Sequence, residues 1–388
     1  MHVVIAPDCF TGTLTAQQAA EAMAQGWAAS APHDLLTLRP LSDGGPGFLD
    51  VLAAALPDAQ TLAVTVADSL GRDVPAALLV VEDGGRRTAY LESAQAAGLH
   101  LLAADERNPA LTSTWGVGQL LEAALAEGVG RIVVGLGGSA TNDAGAGLLA
   151  AIGAGAPQDL ARGGLALADL SDAGLPGLAA ARERFRGVEL VLATDVESPL
   201  LGLQGASAVF SPQKGASPEL AQALENALGR FDEVVRRTMP EPTDLLTGSA
   251  RRLDKVPGAG AAGGLGYALL LLGGTRVSGV GEVLRAVGLR DLLRAADLVV
   301  TGEGSFDWQS LQGKVVAGVA EAALETATPS VVVAGQVLVG RREAMTLGLS
   351  GSYAVAETPA QVEAAMADPV GTLAARTARV AATWSPRA

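Results

Sequence analysis

The chain is short of cysteine, lysine, histidine and aromatic residues. Cys9 is its only cysteine, which rules out an intramolecular disulfide and a thiolate zinc site and fits a reducing compartment. His2, His33 and His100 show no metal-ligand spacing and read as structural or exposed. Aromatic residues make up 3% of the sequence, leaving no stripe of rings for stacking on nucleic-acid bases. Positive charge is also scarce. With 27 Lys and Arg against 41 Asp and Glu, the formal charge of −14 argues against nucleic acid or an anionic membrane as partner. Long apolar runs are missing too. Residues 258–275 carry no charge, but glycines interrupt them and only 267–272 are continuously apolar, which predicts a loop and a buried helix rather than a membrane span. The start MHVVIAPD reads as a strand without a basic n-region or cleavage-like segment, so the expected location is cytoplasmic.

What is present is aliphatic and glycine-rich: 49% hydrophobic residues and 49 glycines in 388 positions, enough for two or three packed domains. Apolar runs that end in small or acidic residues recur at 2–8, 131–138, 189–196, 297–304 and 330–337, as buried parallel strands do. Segments of helical spacing lie between them, at 16–29, 114–128, 218–238 and 313–325, so the fold class is α/β. Residues 62–94 break the alternation with three strand-like runs joined by SLGRD and EDGG turns, a small antiparallel meander. The expected division is a flavodoxin-like or Rossmann-like parallel-sheet domain from 1–60, 105–160 and 285–388, and an inserted mixed α/β domain from 61–104 and 161–284.

The most informative segment is RIVVGLGGSATNDAGAG at 131–147, where a strand enters a loop of glycines and small hydroxyls. Gly137 and Gly138 let successive amides converge on an anion, and Ser139 and Thr141 add hydroxyls. Asn142 or Asp143 is placed to cap a following helix at 144–152, whose positive end would face the same anion. Two of the three lysines, Lys214 and Lys314, survive in glycine-flanked loops although the other basic residues are nearly all arginine, and a compact ammonium there suits phosphate. Carboxylates end several strands: Asp8, Asp43, Asp195, Glu303 and Asp307. Each alone reads as a turn or capping residue, but five expected at one edge of one sheet suit Mg²⁺ binding and proton acceptance in phosphoryl transfer. GAGAAG at 258–263 has the letters of a dinucleotide fingerprint, yet Pro257 precedes it where a strand is required. No Walker A sequence occurs, because Val315 follows Lys314.

Together the segments VIAPDCFTGTL (4–14), SDGGPG (42–47), GGSATNDAGAG (137–147), ATDVESPL (193–200), GASAVFSPQKGAS (205–217), PGAGAAGGLG (257–266) and TGEGSFDWQSLQGK (301–314) resemble the type I glycerate kinase family over nearly the whole length. The resemblance implies two α/β domains with the site in the cleft between them. It implies transfer of the ATP γ-phosphoryl group to D-glycerate with Mg²⁺, giving 2-phosphoglycerate. On that basis Asp195, Lys214 and Lys314 are the candidate catalytic residues. Gly137, Gly138, Ser139, Ala140, Thr141 and Asn142 are candidates for phosphate or nucleotide, and Asp8, Thr11, Asp43, Gly263 and Ser305 for substrate. Glu303 and Asp307 are candidates for Mg²⁺. Glycerate and ATP are the expected partners, with a homodimer left open. Thr11 stands where the family usually has Lys, and Ser305–Phe306 where it has Arg and an aliphatic residue; Cys9, Pro46 and Gln312 replace a usual Ser, Glu and His. The two lost cations leave as alternatives a related hydroxy acid or polyol as acceptor, and a catalytically silent relative that binds a nucleotide or metabolite.

Overall fold

The computed structural model describes residues 1–10, 12–83, 85–239, 248, 252–311 and 313–385. Its strands are β1 (His2–Ile5), β2 (Leu35–Leu38), β3 (Gln60–Ala67), β4 (Asp73–Asp83), β5 (Arg86–Glu92), β6 (Arg131–Gly135) and β7 (Glu189–Ala193), followed by β8 (Thr275–Val277), β9 (Leu298–Thr301), β10 (Ser305–Phe306), β11 (Ser330–Ala334), β12 (Gln336–Val337) and β13 (Gly351–Ala354). The chain divides into two compact units, one of Met1–Asp43, Asp50–Pro57 and Ser278–Ala388, the other of Gly44–Leu49 and Asp58–Val277.

The first unit is built on a parallel sheet of order β13-β11-β9-β1-β2. Parallel neighbours need crossovers, supplied by helix Ala16–Ser30 between β1 and β2 and helix Val315–Thr326 between β9 and β11. Val3, Val4, Ile5, Val299, Val300 and Val332 are fully buried, as expected for strands covered on both faces. Helix Ala16–Ser30 starts at a capping box in which Thr15 and Gln18 exchange side-chain and backbone bonds. It packs along helix Pro369–Trp384, burying Met23, Trp27 and Leu373 in the core beneath β1. A short parallel pair, β10 with β12, sets Ser305 opposite Gln336.

The second unit carries a six-stranded sheet of order β3-β4-β5-β6-β7-β8. β3, β4 and β5 form the antiparallel meander expected at 62–94, and β5 through β8 are parallel. Residues 258–275 form a turn and the buried helix Ala261–Leu271, with Ala262, Gly263 and Gly264 in the left-handed region. Among the described residues no helix is long and apolar enough to cross a membrane.

Two expectations need correction. Segment 105–160, assigned to the flavodoxin-like part, lies in the second unit, because β6 is hydrogen-bonded between β5 and β7; residues 278–284 fall in the first. The five carboxylates do not share one sheet edge. Asp8, Asp43, Glu303 and Asp307 follow strands of the first sheet or the loop after it, whereas Asp195 follows β7 of the second. Short β2, β8 and β13 carried no strand signal of their own.

Gly26 sits so close to helix Pro369–Trp384 that a Cβ would run into the carbonyl oxygen of Ala374. Gly26→Ala is expected to lower stability by about 1–3 kcal/mol despite its better helix propensity, read as a lower urea midpoint at unchanged m-value.

Candidate active site

In the second unit β6 runs into a loop pinned at three points: Leu136 N donates to Ala193 O at 3.0 Å, Ala140 N to Ala97 O at 2.7 Å and Ala144 N to Gly263 O at 3.1 Å. Between the first two, the amides of Gly137, Gly138 and Ser139 have no hydrogen-bond partner among the described residues. Gly138 has φ +63°, and a Cβ on Gly137 would lie 2.6 Å from the Cα of Gly45. Only glycine lets this backbone reach the conformation and the contact. The result is three successive unpaired amides beside the carboxyl end of a parallel strand, a nest suited to an anion.

The remainder of the loop turns inward. Lys214 is 1% exposed; its Nζ donates to Ser139 Oγ at 2.9 Å and to the Thr141 carbonyl at 2.6 Å. Burial pushes its pKa down to about 7, against the pull of nearby Asp143. Asp143 is itself fully buried, which raises its pKa even though it accepts from Thr114 N, Thr114 Oγ1, Gly145 N and Gly147 N at 2.8–3.2 Å. Asn142 Nδ2 donates to Ser207 Oγ at 3.0 Å, while Asn142 Oδ1 and Thr141 Oγ1 are buried without a partner. Ala140 is buried and supplies backbone alone. The helix expected at 144–152 spans Ala146–Ala151, and its dipole is not offered to a ligand: the amides of Gly147 and Leu148 go to Asp143 and Thr114 Oγ1. Gly263 meets the loop by backbone, since a Cβ there would collide with the Thr141 carbonyl.

Asp195 is half-buried directly after β7, where Arg276 Nε donates to the Thr194 carbonyl at 3.3 Å and Thr194 Oγ1 accepts from Val196 N at 3.2 Å. Glu92 and Ser93, at the end of neighbouring β5, were not singled out from sequence. Glu92 Oε2 accepts from Leu49 N at 3.2 Å and Ser93 Oγ donates to Gly135 O at 2.8 Å, so both brace the same strand ends. Their signal was the one used elsewhere, an acidic residue closing an apolar run.

In the first unit Asp8, Asp43 and Glu303 follow the adjacent strands β1, β2 and β9. Burial, then repulsion from Asp43 and Glu303, raises the Asp8 carboxyl to about 7, although Cys9 N donates to it at 2.7 Å. Glu303 is raised to about 7 by burial and by Asp307 and Asp43, against a Ser310 hydrogen bond and the Lys314 charge. Its Oε1 is buried without a partner. Asp307 Oδ1 accepts from Gln309 N at 2.8 Å, the Ser305 carbonyl accepts from Ser310 Oγ at 3.3 Å, and half-buried Lys314 precedes helix Val315–Thr326. Among the described residues no three His, Cys, Asp or Glu side chains converge as a preformed metal cage. Trp308 is 61% exposed, whereas Trp115 packs against the second unit's core. Thr11 and Gln312 lie outside the described residues.

The sequence model of the glycerate kinase family matches residues 3–385. Glycerate kinase of Bacillus subtilis is 39% identical over 342 residues, covering 87% of this chain and 85% of that protein. Glycerate 2-kinase of Escherichia coli is 37% identical over 342 residues, 87% of this chain and 86% of that one. Among solved structures, a glycerate kinase 2 from Salmonella typhimurium superposes with TM-score 0.75 at 36% identity, covering 99% of this chain and 98% of its own. Loop, carboxylates and these likenesses together identify the chain as a member of the glycerate kinase family of phosphotransferases.

Proposed function

We propose that the protein uses ATP and Mg²⁺ to phosphorylate D-glycerate to 2-phosphoglycerate in the cytoplasm. The observation that carries this reading is the run of unpaired amides at Gly137–Ser139 in a loop stiffened by Lys214. Such amides stabilise charge on phosphoryl oxygens without reorganising when the charge develops. In the second unit Asp195 is assigned to accept the proton of the attacking hydroxyl, held at a strand end that Arg276 braces through Thr194. In the first unit Asp8 and Asp43 are assigned to the substrate hydroxyls, and Lys314 to the oxygens of the transferring group.

Mg²⁺ commonly takes one or two carboxylates and completes its shell with water and phosphate oxygens. Glu303 fits that role, with a buried oxygen lacking a partner and a charge that burial disfavours until a cation arrives; Asp307 is its assigned neighbour. When bound with ATP the ion would neutralise charge on the β- and γ-phosphoryl oxygens.

Purified protein with ATP, Mg²⁺ and D-glycerate is expected to release ADP with kcat above about 1 s⁻¹, with phosphorus NMR placing the new ester at the 2-hydroxyl. Turnover with another hydroxy acid or a polyol but not glycerate would assign the altered acceptor to Thr11 and Ser305. ATP-induced stabilisation with no acceptor turning over would point to a silent relative. Asp195→Asn should lower kcat by about 100-fold or more with little change in thermal midpoint; a loss below about tenfold would remove Asp195 as the proton acceptor.

A further inference from the structure

Lys214 is buried under the loop it serves. Both described hydrogen bonds of its side chain end on that loop, at Ser139 Oγ and the Thr141 carbonyl. A neutral amine has two N–H groups and so matches these two acceptors, whereas an ammonium brings a third that finds no acceptor among the described residues. Among the described residues no ion pair offsets its charge, and the charged group acting on it is Asp143, whose oxygens are already taken by four donors from Thr114, Gly145 and Gly147. The other groups packed around it do not titrate near neutrality: Ser207 and Ser211 from its own segment, Thr141 and Asn142 from the loop. From the segment before Leu111, the carbonyl of Arg107 lies against Gly215.

We propose that Lys214 is a positioning residue that never touches the ligand: it props the anion loop from beneath through Ser139 and Thr141, and an anion settling on the Gly137–Ser139 amides brings a proton onto it. This rests on the reading of that loop as a phosphate site and replaces the expectation that Lys214 itself grips phosphate. At 1% exposure it has no open path to a ligand. A negative charge on those amides, in a partly desolvated loop, raises a lysine beneath them by about 1–2 pH units. Free Lys214, held at about 7 by burial, is mostly neutral at pH 8 and mostly charged at pH 6. Anion binding therefore takes up a proton at pH 8 and very little at pH 6. The same lowered value means that burying Lys214 costs stability below about pH 7, a cost relieved as pH rises toward the ordinary lysine range.

Titration calorimetry of the protein with MgATP, in two buffers of different ionisation enthalpy, measures the proton directly. The expected result is uptake of about 0.4–0.8 of a proton at pH 8 that Lys214→Met lacks, and a difference between the two proteins of less than about 0.2 at pH 6, where Glu303 and Asp8 release protons on meeting Mg²⁺ in both. Heats that are independent of buffer at pH 8, or the same uptake in Lys214→Met, would overturn the proposal while leaving the phosphate-site reading intact. Absence of any MgATP binding would overturn that reading and this proposal with it. If Lys214→Met does not fold, the wild type titrated with sulfate in the absence of Mg²⁺ decides: proton uptake at pH 8 and little at pH 6 are expected, and buffer-independent heats at pH 8 would overturn the proposal.

Discussion

Contact of backbone against backbone is the constraint on which the anion loop depends. Gly137 lies against Gly45, and Gly263 against the carbonyl of Thr141, at separations that leave no room for a Cβ. Strand β6 can therefore deliver its loop to one place only, where the amides of Gly137, Gly138 and Ser139 meet no acceptor among the described residues. A side chain at either position would push the loop off its supports. The cost would fall on geometry before it fell on stability.

The second theme is burial of charge. Desolvation moves Asp8 and Glu303 up and Lys214 down, all to about 7, by one mechanism acting with opposite sign on acids and bases. Around Asp8 and Glu303, in the first unit, the repulsion of neighbouring carboxylates adds to burial, which suits groups that meet a cation. Around Lys214, in the second, burial acts almost alone, which suits a group that responds to an arriving anion. Each unit thus carries ionisable groups poised near neutrality.

The strands were legible because a parallel strand buried on both faces must be a short aliphatic run, and 2–8, 131–138, 189–196, 297–304 and 330–337 all are. The loop at 137–147 was legible because left-handed or close-packed backbone demands glycine at set positions. Sheet membership was not. Nothing local in RIVVG distinguishes a strand of the first sheet from one of the second, so 105–160 was read into the wrong unit and Asp195 onto the wrong edge. The helix start at Ala146 had the right composition for an anion site, yet its amides are spent on Asp143 and Thr114, and the latter is more than 30 residues away.

The sequence by itself determined the α/β class, the meander, the strand-end carboxylates, the glycine loop and, through its motifs, the family. These are properties of short segments, in which side-chain size, charge and backbone freedom act over a few residues. Tertiary structure alone decided that Lys214 lies beneath the loop, 75 positions along the chain from Ser139. It also decided that Asp143 is buried and saturated with donors, and that the carboxylates divide between two sheets. Burial and pairing depend on which distant segments meet, and the physical properties they confer, a lysine near neutrality and an amide left unpaired, belong to that meeting rather than to any residue in it.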